Sequence, residues 1–315
     1  MHVNKILLID TIHPLFKKLV EEKGFVCEDG TAWSKEETLQ RISEYNGAVI
    51  RSRFLMDKEL LDAAQNLKFI ARAGAGMENI DVDYAKSKGI ACLNSPEGNR
   101  DAVGEFAIGH LLSFFRKINK ADSEVRKGTW LREENRGVEL QGKTVAIIGF
   151  GNMGSAFAKK LSGFEVNILA YDKYISIDSV KYSFVKQVAM ERIFDETDII
   201  SFHIPLTEET RYLVHDDFIN CFRKNIYIIN TSRGKILNTA DLVKNMKTGK
   251  VKGACLDVSE YESTSFENFS EITFPEPMQY LVNAHNVILS PHIAGWTFES
   301  NEKMARILAE KVIAL

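Results

Sequence analysis

The chain has little cysteine: its 315 residues contain four, at Cys27, Cys92, Cys221 and Cys255. No two of them form a Cys-x-x-Cys pair, and none stands at the spacing from a histidine that zinc sites use. We therefore expect no metal site and no disulfide framework. Cys92 and Cys255 lie in apolar runs, which predicts thiols packed in a core and favours a reducing cytoplasm as the compartment.

An excess of charge of either sign is also absent. Lysine and arginine number 40 against 43 aspartates and glutamates, so the formal net charge is −3. A balance this even excludes the broad basic face that nucleic acid or an anionic membrane surface would require. No apolar run reaches the length of a membrane span, and the short N-terminal run ends at Asp10, which fits a first strand rather than a secretory signal. We expect a cytoplasmic protein whose ligands are small molecules.

Short apolar segments rich in β-branched residues are present throughout the chain, and they alternate with segments of helical periodicity. This alternation is typical of βαβ units and of parallel sheets. About eleven parallel strands in a single sheet would be unusual, so two sheets are expected. The predicted strands cover residues 5–9, 47–50, 67–71 and 90–93 in a first series, and 144–149, 166–172, 198–203, 225–230, 252–257 and 286–290 in a second series.

The second series begins with glycines in G-x-G-x-x-G spacing at Gly149, Gly151 and Gly154, between a predicted strand and an amphipathic helix. In this context the first glycine permits a tight turn, the second lets a pyrophosphate approach the backbone, and the third lets the helix pack on the strand. The next predicted strand ends in Asp172, which can accept hydrogen bonds from ribose hydroxyls and would repel a 2′-phosphate. The motif predicts NAD rather than NADP; the alternative is an ordinary βαβ turn with a solvated aspartate.

A stretch of helical periodicity over residues 102–128 separates the two series and is predicted to be one connecting helix. The last segment, 297–312, is also helical and could cross back to the first domain, which would make that domain discontinuous. The expected fold class is α/β, with two doubly wound parallel-sheet domains. Residues 1–98 and 293–315 would form a flavodoxin-like substrate-binding domain, and residues 99–292 an inserted Rossmann domain that binds NAD.

Each later strand of the second series is followed by a polar residue, and in a parallel sheet these residues share one edge with the glycine motif. His203, Arg233, Asp257 and His292 stand at such strand ends. Separate polar strand ends are common, but their convergence beside a dinucleotide site favours a ligand site. The predicted cofactor-binding residues are Gly149, Gly151, Asn152, Met153, Gly154, Asp172, His203, Thr231 and Asp257.

Several motifs of the chain resemble the D-isomer-specific 2-hydroxyacid dehydrogenase family: "ARAGAGMENID", "NSPEGNRDAVGE", "VAIIGFGNMG", "HIPLTEETRYLV", "NTSRG" and "SPHIAG". The family uses an arginine, a glutamate and a histidine, and the resemblance implies that these are Arg233, Glu262 and His292. The family pattern usually has proline directly after the glutamate, whereas Ser263 follows here. A Glu-Pro pair at Glu276 therefore remains an alternative, although spacing from the preceding strand favours Glu262.

The chemistry of a 2-keto acid explains these residue types. A histidine that titrates near neutral pH can give and take the proton of the carbonyl oxygen while nicotinamide supplies hydride. A carboxylate beside the histidine favours the imidazolium form and orients the ring. A planar guanidinium holds a carboxylate and polarises a carbonyl better than a lysine does. His292 is thus predicted to be the acid and base of the reaction.

The resemblance also bears on substrate and assembly. It implies that the amides of Ala75 and Gly76 meet the substrate carboxylate, where the alternative is a plain turn. Arginines at predicted strand ends (Arg51 and Arg72) and beyond the connecting helix (Arg132) suggest a second anion, such as the phosphate of 3-phosphoglycerate or 3-phosphohydroxypyruvate. The alternatives are a hydroxypyruvate or glyoxylate reductase and, more remotely, a dinucleotide-sensing corepressor-like module. Members of the family are usually homodimers, and we expect the same here.

Overall fold

The computed structural model describes residues 4–263 and 274–315, and it separates the chain into two compact α/β units. The first unit contains the chain up to Arg100 and again from Trp296 to Leu315. The second unit contains the chain from Asp101 to Glu262 and the segment that ends at Gly295. The first unit thus receives both the beginning and the end of the chain.

The helices and strands alternate along both units. Within the described ranges, no helix is long and apolar enough to cross a bilayer. The strands are β1 Lys5–Leu8, β2 Val26–Asp29, β3 Gly47–Ile50, β4 Phe69–Arg72, β5 Ala91–Leu93, β6 Thr144–Ile148, β7 Asn167–Tyr171, β8 Val185–Gln187, β9 Ile199–Phe202, β10 Ile226–Asn230, β11 Val251–Leu256 and β12 Val287–Leu289. The α-helices are α1 Leu15–Glu21, α2 Lys35–Arg41, α3 Lys58–Ala63, α4 Val82–Ser87, α5 Pro96–Phe115, α6 Ile118–Arg126, α7 Asn152–Leu161, α8 Met190–Glu196, α9 Asp216–Asn220, α10 Thr239–Lys247, α11 Glu276–Asn283 and α12 Phe298–Ile313.

The first unit is built on a five-stranded sheet in the order β2-β1-β3-β4-β5, and all of its pairings are parallel. The sequence predicted four of these strands and missed β2. That strand lies at the edge of the sheet, has one buried residue, Cys27, and ends in two acids, so its apolar pattern is weak. Helix α12 packs with α1 on this sheet: Leu308, Ala309 and Val312 share a buried cluster with Phe16.

The second unit is built on a seven-stranded parallel sheet in the order β12-β11-β10-β9-β6-β7-β8. The prediction of two parallel-sheet α/β domains is confirmed, although the edge strand β8, with Val185 as its one buried residue, was missed. From β6 the chain builds outward through β7 and β8, and it then returns to the other side of β6 at β9. The carboxyl end of β6 is therefore the switch point of this sheet, where α/β proteins place their ligands.

The prediction of a single connecting helix over residues 102–128 is wrong. Helix α5 ends at Phe115, and α6 begins at Ile118 after Lys117, whose φ of +53° is left-handed and incompatible with a continuing helix. The two helices differ in environment, because α5 buries Leu111 and Phe115 whereas α6 has no buried residue.

Candidate active site

The loop after β6 meets the steric demands that a dinucleotide places on three glycines. Gly149 has φ +89°, and a Cβ added there would lie 2.5 Å from the carbonyl oxygen of His203. A Cβ on Gly154 would lie 2.0 Å from the carbonyl oxygen of Gly149, so helix α7 can approach the strand only without a side chain. A Cβ on Gly151, in contrast, would meet no atom within 4 Å. The middle glycine therefore faces open space in which a phosphate can approach the backbone.

The N-terminus of α7 is suited to an anion. The helix follows Gly151 directly, no side chain caps it, and its first turn contains no acidic residue. Asn152 and Met153 form the start of that turn, where amide groups have no carbonyl acceptor within the helix. Unfilled amides and the helix dipole together favour a bound pyrophosphate.

Asp172 follows β7 and is tied to the glycine loop. Its Oδ2 accepts a hydrogen bond from the amide of Phe150 at 2.7 Å, and its Oδ1 accepts from the amides of Tyr174 and Ile175, both at 2.9 Å. A carboxylate has about four acceptor sites and three are used here, so one site on Oδ2 remains for a ribose hydroxyl. The neighbouring cation, Lys173, is ion-paired with Glu209, whose Oε2 also accepts from the Tyr174 hydroxyl at 2.7 Å.

His203 and Thr231 follow the strands β9 and β10. The Nε2 of His203 lies 2.9 Å from the Ser201 hydroxyl, its ring contacts Phe157, and burial lowers the pKa of His203 to about 3. The imidazole therefore faces the interior of the unit, and it is the backbone of His203 that borders the glycine loop. The Oγ1 of Thr231 is buried without a hydrogen-bond partner in the described chain, which leaves a polar group for a ligand to satisfy.

The three residues that the family resemblance implies follow three neighbouring strands. Arg233 comes after β10, Glu262 after β11 and His292 after β12. The Oε2 of Glu262 lies 3.0 Å from Nδ1 of His292, with side-chain exposures of 16% and 21%. Glu276, the alternative carboxylate, stands in the first turn of α11 with 90% of its side chain exposed and lies 3.9 Å from Lys247. The rest of the alternative segment, residues 264–273, lies outside the described residues.

The turn that carries Arg233 is held by Asn230 and Ser259. The Oδ1 of Asn230 accepts from the amide and hydroxyl of Ser232, and its Nδ2 donates to the carbonyl of Arg233 at 3.0 Å. A Cβ on Gly234 would lie 1.9 Å from the carbonyl oxygen of Ser259. The arginine turn is thus packed directly against the segment that leads to Glu262.

Asp257 holds the turn that carries His292. Its carboxylate is fully buried; Oδ1 accepts from the Ser290 hydroxyl at 2.6 Å and the Ile293 amide at 3.0 Å, and Oδ2 accepts from the Ala294 amide at 2.8 Å. The carbonyl of Asp257 accepts from the amide of His292 at 2.7 Å. The sequence placed Asp257 among cofactor-binding residues, whereas the structure surrounds it with donors of its own chain. These bonds stabilise a left-handed backbone at His292, with φ +56°.

The first unit contains a loop at residues 73–76 with unused amide groups. A Cβ on Gly74 would lie 1.5 Å from Nη1 of Arg72, so the buried guanidinium of Arg72 packs under this loop. The carbonyl of Ala75 accepts from Nδ2 of Asn94 at 2.6 Å. The amides of Ala75 and Gly76 donate no hydrogen bond within residues 4–263 and 274–315. Adjacent unpaired amides of this kind form a site for an anion.

The two remaining predicted arginines lie in different units. In the first unit, the amide of Arg51 donates to Oδ2 of Asp10, and its guanidinium lies 4.6 Å from the ring centroid of Trp296, whose surface is 64% exposed. The ring and the cation form one exposed aromatic and positive feature. In the second unit, Arg132 is exposed in the segment between α6 and β6.

The known proteins similar to this chain carry names of dehydrogenases and reductases that act on hydroxy acids or keto acids. The family model described as D-isomer specific 2-hydroxyacid dehydrogenase, NAD binding domain, matches residues 108–294. D-3-phosphoglycerate dehydrogenase from Archaeoglobus fulgidus is 35% identical over 98% of this chain, which spans 56% of that protein's length. Glyoxylate reductase from Thermofilum pendens is 36% identical, with 96% of this chain and 88% of that protein covered. The crystal structure of D-lactate dehydrogenase from Aquifex aeolicus, complexed with NAD and lactic acid, has a TM-score of 0.84 at 26% identity and covers 99% of this chain and 95% of that chain.

Proposed function

The chain belongs to the D-isomer-specific 2-hydroxyacid dehydrogenase family, and we propose that it interconverts a D-2-hydroxy acid and its 2-keto acid with NAD. The observation that carries this proposal is the Glu262–His292 pair at 3.0 Å. Glu262 follows β11, which adjoins the strand before Arg233, and His292 follows β12 on the other side of β11, in the sheet that bears the glycine loop. An acid–base pair and a carboxylate-binding cation in one sheet edge are the groups that this reaction requires.

The cofactor fits the residues of the second unit. Gly151 and the first turn of α7 would hold the pyrophosphate, Asp172 the adenosine ribose, and Thr231 a polar group of the cofactor. Bound NAD supplies the hydride acceptor for oxidation and, when reduced, the hydride donor. The acid at Asp172 and the Lys173–Glu209 ion pair both disfavour a 2′-phosphate, which supports NAD over NADP.

The residues of this chain would handle the proton and orient the substrate. In the reducing direction the imidazolium of His292 gives its Nε2 proton to the carbonyl oxygen, and in the oxidising direction neutral His292 takes it from the hydroxyl. Glu262 accepts a hydrogen bond at Nδ1, so it fixes the ring orientation and stabilises the charged form. Arg233 binds the substrate carboxylate as a planar donor. In the first unit, the amides of Ala75 and Gly76 are donors suited to a carboxylate.

For the substrate we propose 3-phosphoglycerate and 3-phosphohydroxypyruvate, the reaction that opens serine biosynthesis. The name of the relative from Archaeoglobus fulgidus supports this choice. So does the Arg51 guanidinium, which lies over the exposed Trp296 ring of the first unit and is a planar donor of the kind that binds phosphate. In the second unit, Arg132 is a further exposed cation that would suit a phosphate.

A second candidate is the reduction of unphosphorylated keto acids such as glyoxylate or hydroxypyruvate. The relative from Thermofilum pendens supports it, because the alignment covers most of both chains. The position of Arg72 also supports it: its guanidinium is buried against Gly74, so one of the cations proposed for the phosphate contacts its own loop.

A parallel assay of NADH oxidation with 3-phosphohydroxypyruvate, hydroxypyruvate, glyoxylate and pyruvate distinguishes the two. The proposal expects the highest kcat/KM for the phosphorylated acid and a selective loss of at least about tenfold for that substrate in Arg51→Gln, the scale of one charged hydrogen bond. Arg306→Gln is the matched control, since Arg306 is a half-exposed arginine of the same unit that pairs with Glu302. Equal or better rates with hydroxypyruvate, unchanged in Arg51→Gln, would establish the second candidate instead.

We further propose a cytoplasmic homodimer. The four cysteines are free thiols, as expected in a reducing compartment. Apolar side chains cluster in sequence on and after α6 while remaining accessible, and large exposed apolar residues of this kind favour a protein interface. They are Ile118, Val125, Trp130, Leu131 and Val138, which are 38–76% exposed.

A further inference from the structure

His110 is a buried histidine on α5 that the proposed reaction does not use. Its residue surface is 8% exposed, and its ring lies 4.3 Å from the ring of Phe106. Its Nε2 lies 3.1 Å from the hydroxyl of Ser290, a residue 180 positions away in sequence. Its Nδ1 is buried and has no hydrogen-bond partner in the described part of the chain. Within residues 4–263 and 274–315, the only polar contact of this imidazole is therefore with Ser290, which follows β12 and precedes His292 by two positions.

The count of hydrogens fixes the direction of that contact. The Ser290 hydroxyl has one proton, and it donates that proton to Oδ1 of Asp257 at 2.6 Å. Ser290 must then accept from His110, so the proton of the neutral imidazole is on Nε2. Burial lowers the pKa of His110 against the opposing effect of Asp257, and a second proton on Nδ1 would have no acceptor. His110 is thus a neutral donor, and it begins a series of hydrogen bonds that runs from His110 through Ser290 to Asp257.

This series of hydrogen bonds ends at the backbone amides of the turn that contains His292. Asp257 accepts from the amides of Ile293 and Ala294 through its carboxylate and from the amide of His292 through its carbonyl. With φ +56°, His292 has a backbone conformation that a non-glycine residue keeps only where its surroundings impose it. The Ser290 hydroxyl is one of the three donors that orient the Asp257 carboxylate. The hydrogen bond from His110 to the Ser290 oxygen directs the hydroxyl proton toward Asp257.

We propose that His110 is a positioning residue for the reaction, acting through Ser290 and Asp257 to hold the His292 turn in register with Glu262. The proposal rests on the proposed function for its kinetic consequence and on the geometry of the second unit for its structural one. It extends the proposed catalytic arrangement to α5.

Two substitutions separate the hydrogen bond from the volume of the side chain. His110→Phe fills the site beside Phe106 but removes the donor, whereas His110→Gln keeps an N–H that can reach Ser290. We expect His110→Phe to lower kcat by about 10- to 100-fold, the effect of removing an outer partner of a functional histidine, with the Kd for NADH unchanged. His110→Gln should restore most of that loss. Equal kcat in wild type and His110→Phe, or equal damage from Phe and Gln, would overturn the proposal.

A double-mutant cycle and a spectrum keep the test independent of folding and of substrate choice. Ser290→Ala removes a member of the same hydrogen-bond series, so its loss of kcat and that of His110→Phe should be non-additive in the double mutant. Additive losses would contradict a shared path. The imidazole 15N resonances of His292, assigned by their absence in His292→Asn, should move in His110→Phe and return in His110→Gln. Resonances of His292 that do not move in His110→Phe would reject the positioning role, whatever the activity of the wild type. A wild type inactive on every keto acid would reject only the proposed function.

Discussion

The Nδ1 of His292 and the Oε2 of Glu262 lie 3.0 Å apart because their strands are neighbours in register. Strand β11 pairs with β12 through Ala254 with Val287 and Leu256 with Leu289, so the two chains leave the sheet side by side. Because this bond engages Nδ1, Nε2 of His292 is the nitrogen that would exchange a proton with a substrate in the proposed reaction.

The first prediction concerns this pair. In Glu262→Gln the ring keeps a neutral hydrogen-bond partner but loses the carboxylate charge, so the rate of keto acid reduction should fall by about tenfold, the scale of one charged hydrogen bond, with the Kd for NADH unchanged. Stopped-flow NADH oxidation and fluorescence titration with NADH measure the two values. Glu276→Gln is the control, because that side chain is 90% exposed; a loss of rate in Glu276→Gln alone would show that Glu276, and not Glu262, is the partner carboxylate.

His292→Asn should reduce turnover by about two to four decades, the usual contribution of a general acid and base, while the Kd for NADH changes little. Asparagine accepts a left-handed backbone, so the turn should persist. Steady-state kinetics and fluorescence titration with NADH give the two values. His285→Asn, an exposed histidine of the same unit, should behave as wild type, and a fully active His292→Asn would remove His292 from the reaction.

The glycine loop offers a contrast between two substitutions. Gly151→Ala adds a methyl that meets no protein atom within 4 Å, so its Tm should match wild type while NADH affinity falls. Gly154→Ala places a methyl 2.0 Å from the Gly149 carbonyl oxygen and should lower the Tm as well. Gly163→Ala, also free of contacts, is the control for the substitution itself. Thermal unfolding with and without NADH separates the outcomes, and undiminished affinity in Gly151→Ala would place the pyrophosphate elsewhere.

Asp172→Asn should weaken NADH binding and narrow the gap to NADPH, because the charge that repels a 2′-phosphate is lost while an acceptor for the Phe150 amide remains. Titration of both reduced cofactors measures the ratio of the two Kd values. Asp178→Asn is a close match, since Oδ1 of Asp178, like Oδ1 of Asp172, accepts from the amides two and three positions further along the chain. The same ratio in both variants and wild type would exclude Asp172 from the ribose site.

Trp130→Ser should shift the protein from dimer toward monomer in sedimentation velocity, because the side chain is 76% exposed in one chain and its burial would stabilise an interface. Phe298→Ser removes an aromatic side chain that is 95% exposed and lies outside the α6 region, and it should leave the dimer intact. A monomeric wild type would refute the dimer directly.

The strands that the sequence predicted well are those buried on both faces. Ile147, Ile200 and Ile229 are at most 1% exposed, so their runs are apolar without interruption. The missed strands, β2 and β8, are edge strands with one buried residue each. The break between α5 and α6 could not be predicted because Lys117 is an ordinary helix former that here adopts a left-handed φ.

Within the candidate site, the sequence predicted the local motifs but not the contacts between residues far apart in the chain. The glycine spacing and the acid at Asp172 stand in one βαβ unit, so their relation follows from the sequence. The contacts of Asp257 with Ser290 and of His110 with Ser290 join residues 33 and 180 positions apart, and no local pattern marks them. Glu209 beside Lys173 is a similar case, since two loops of different strands bring the charges together.

At His292, the left-handed backbone makes stability and activity favour different residues. A φ of +56° costs a side chain other than glycine roughly 1–2 kcal/mol, and glycine at this position would recover most of it. Only the imidazole justifies keeping the strained residue. A descendant of this chain that kept the dinucleotide site but did not use the acid–base chemistry proposed for His292 would drift toward glycine or asparagine here and become more thermostable. The residue at this turn would then distinguish enzymes of this fold from binding proteins derived from them.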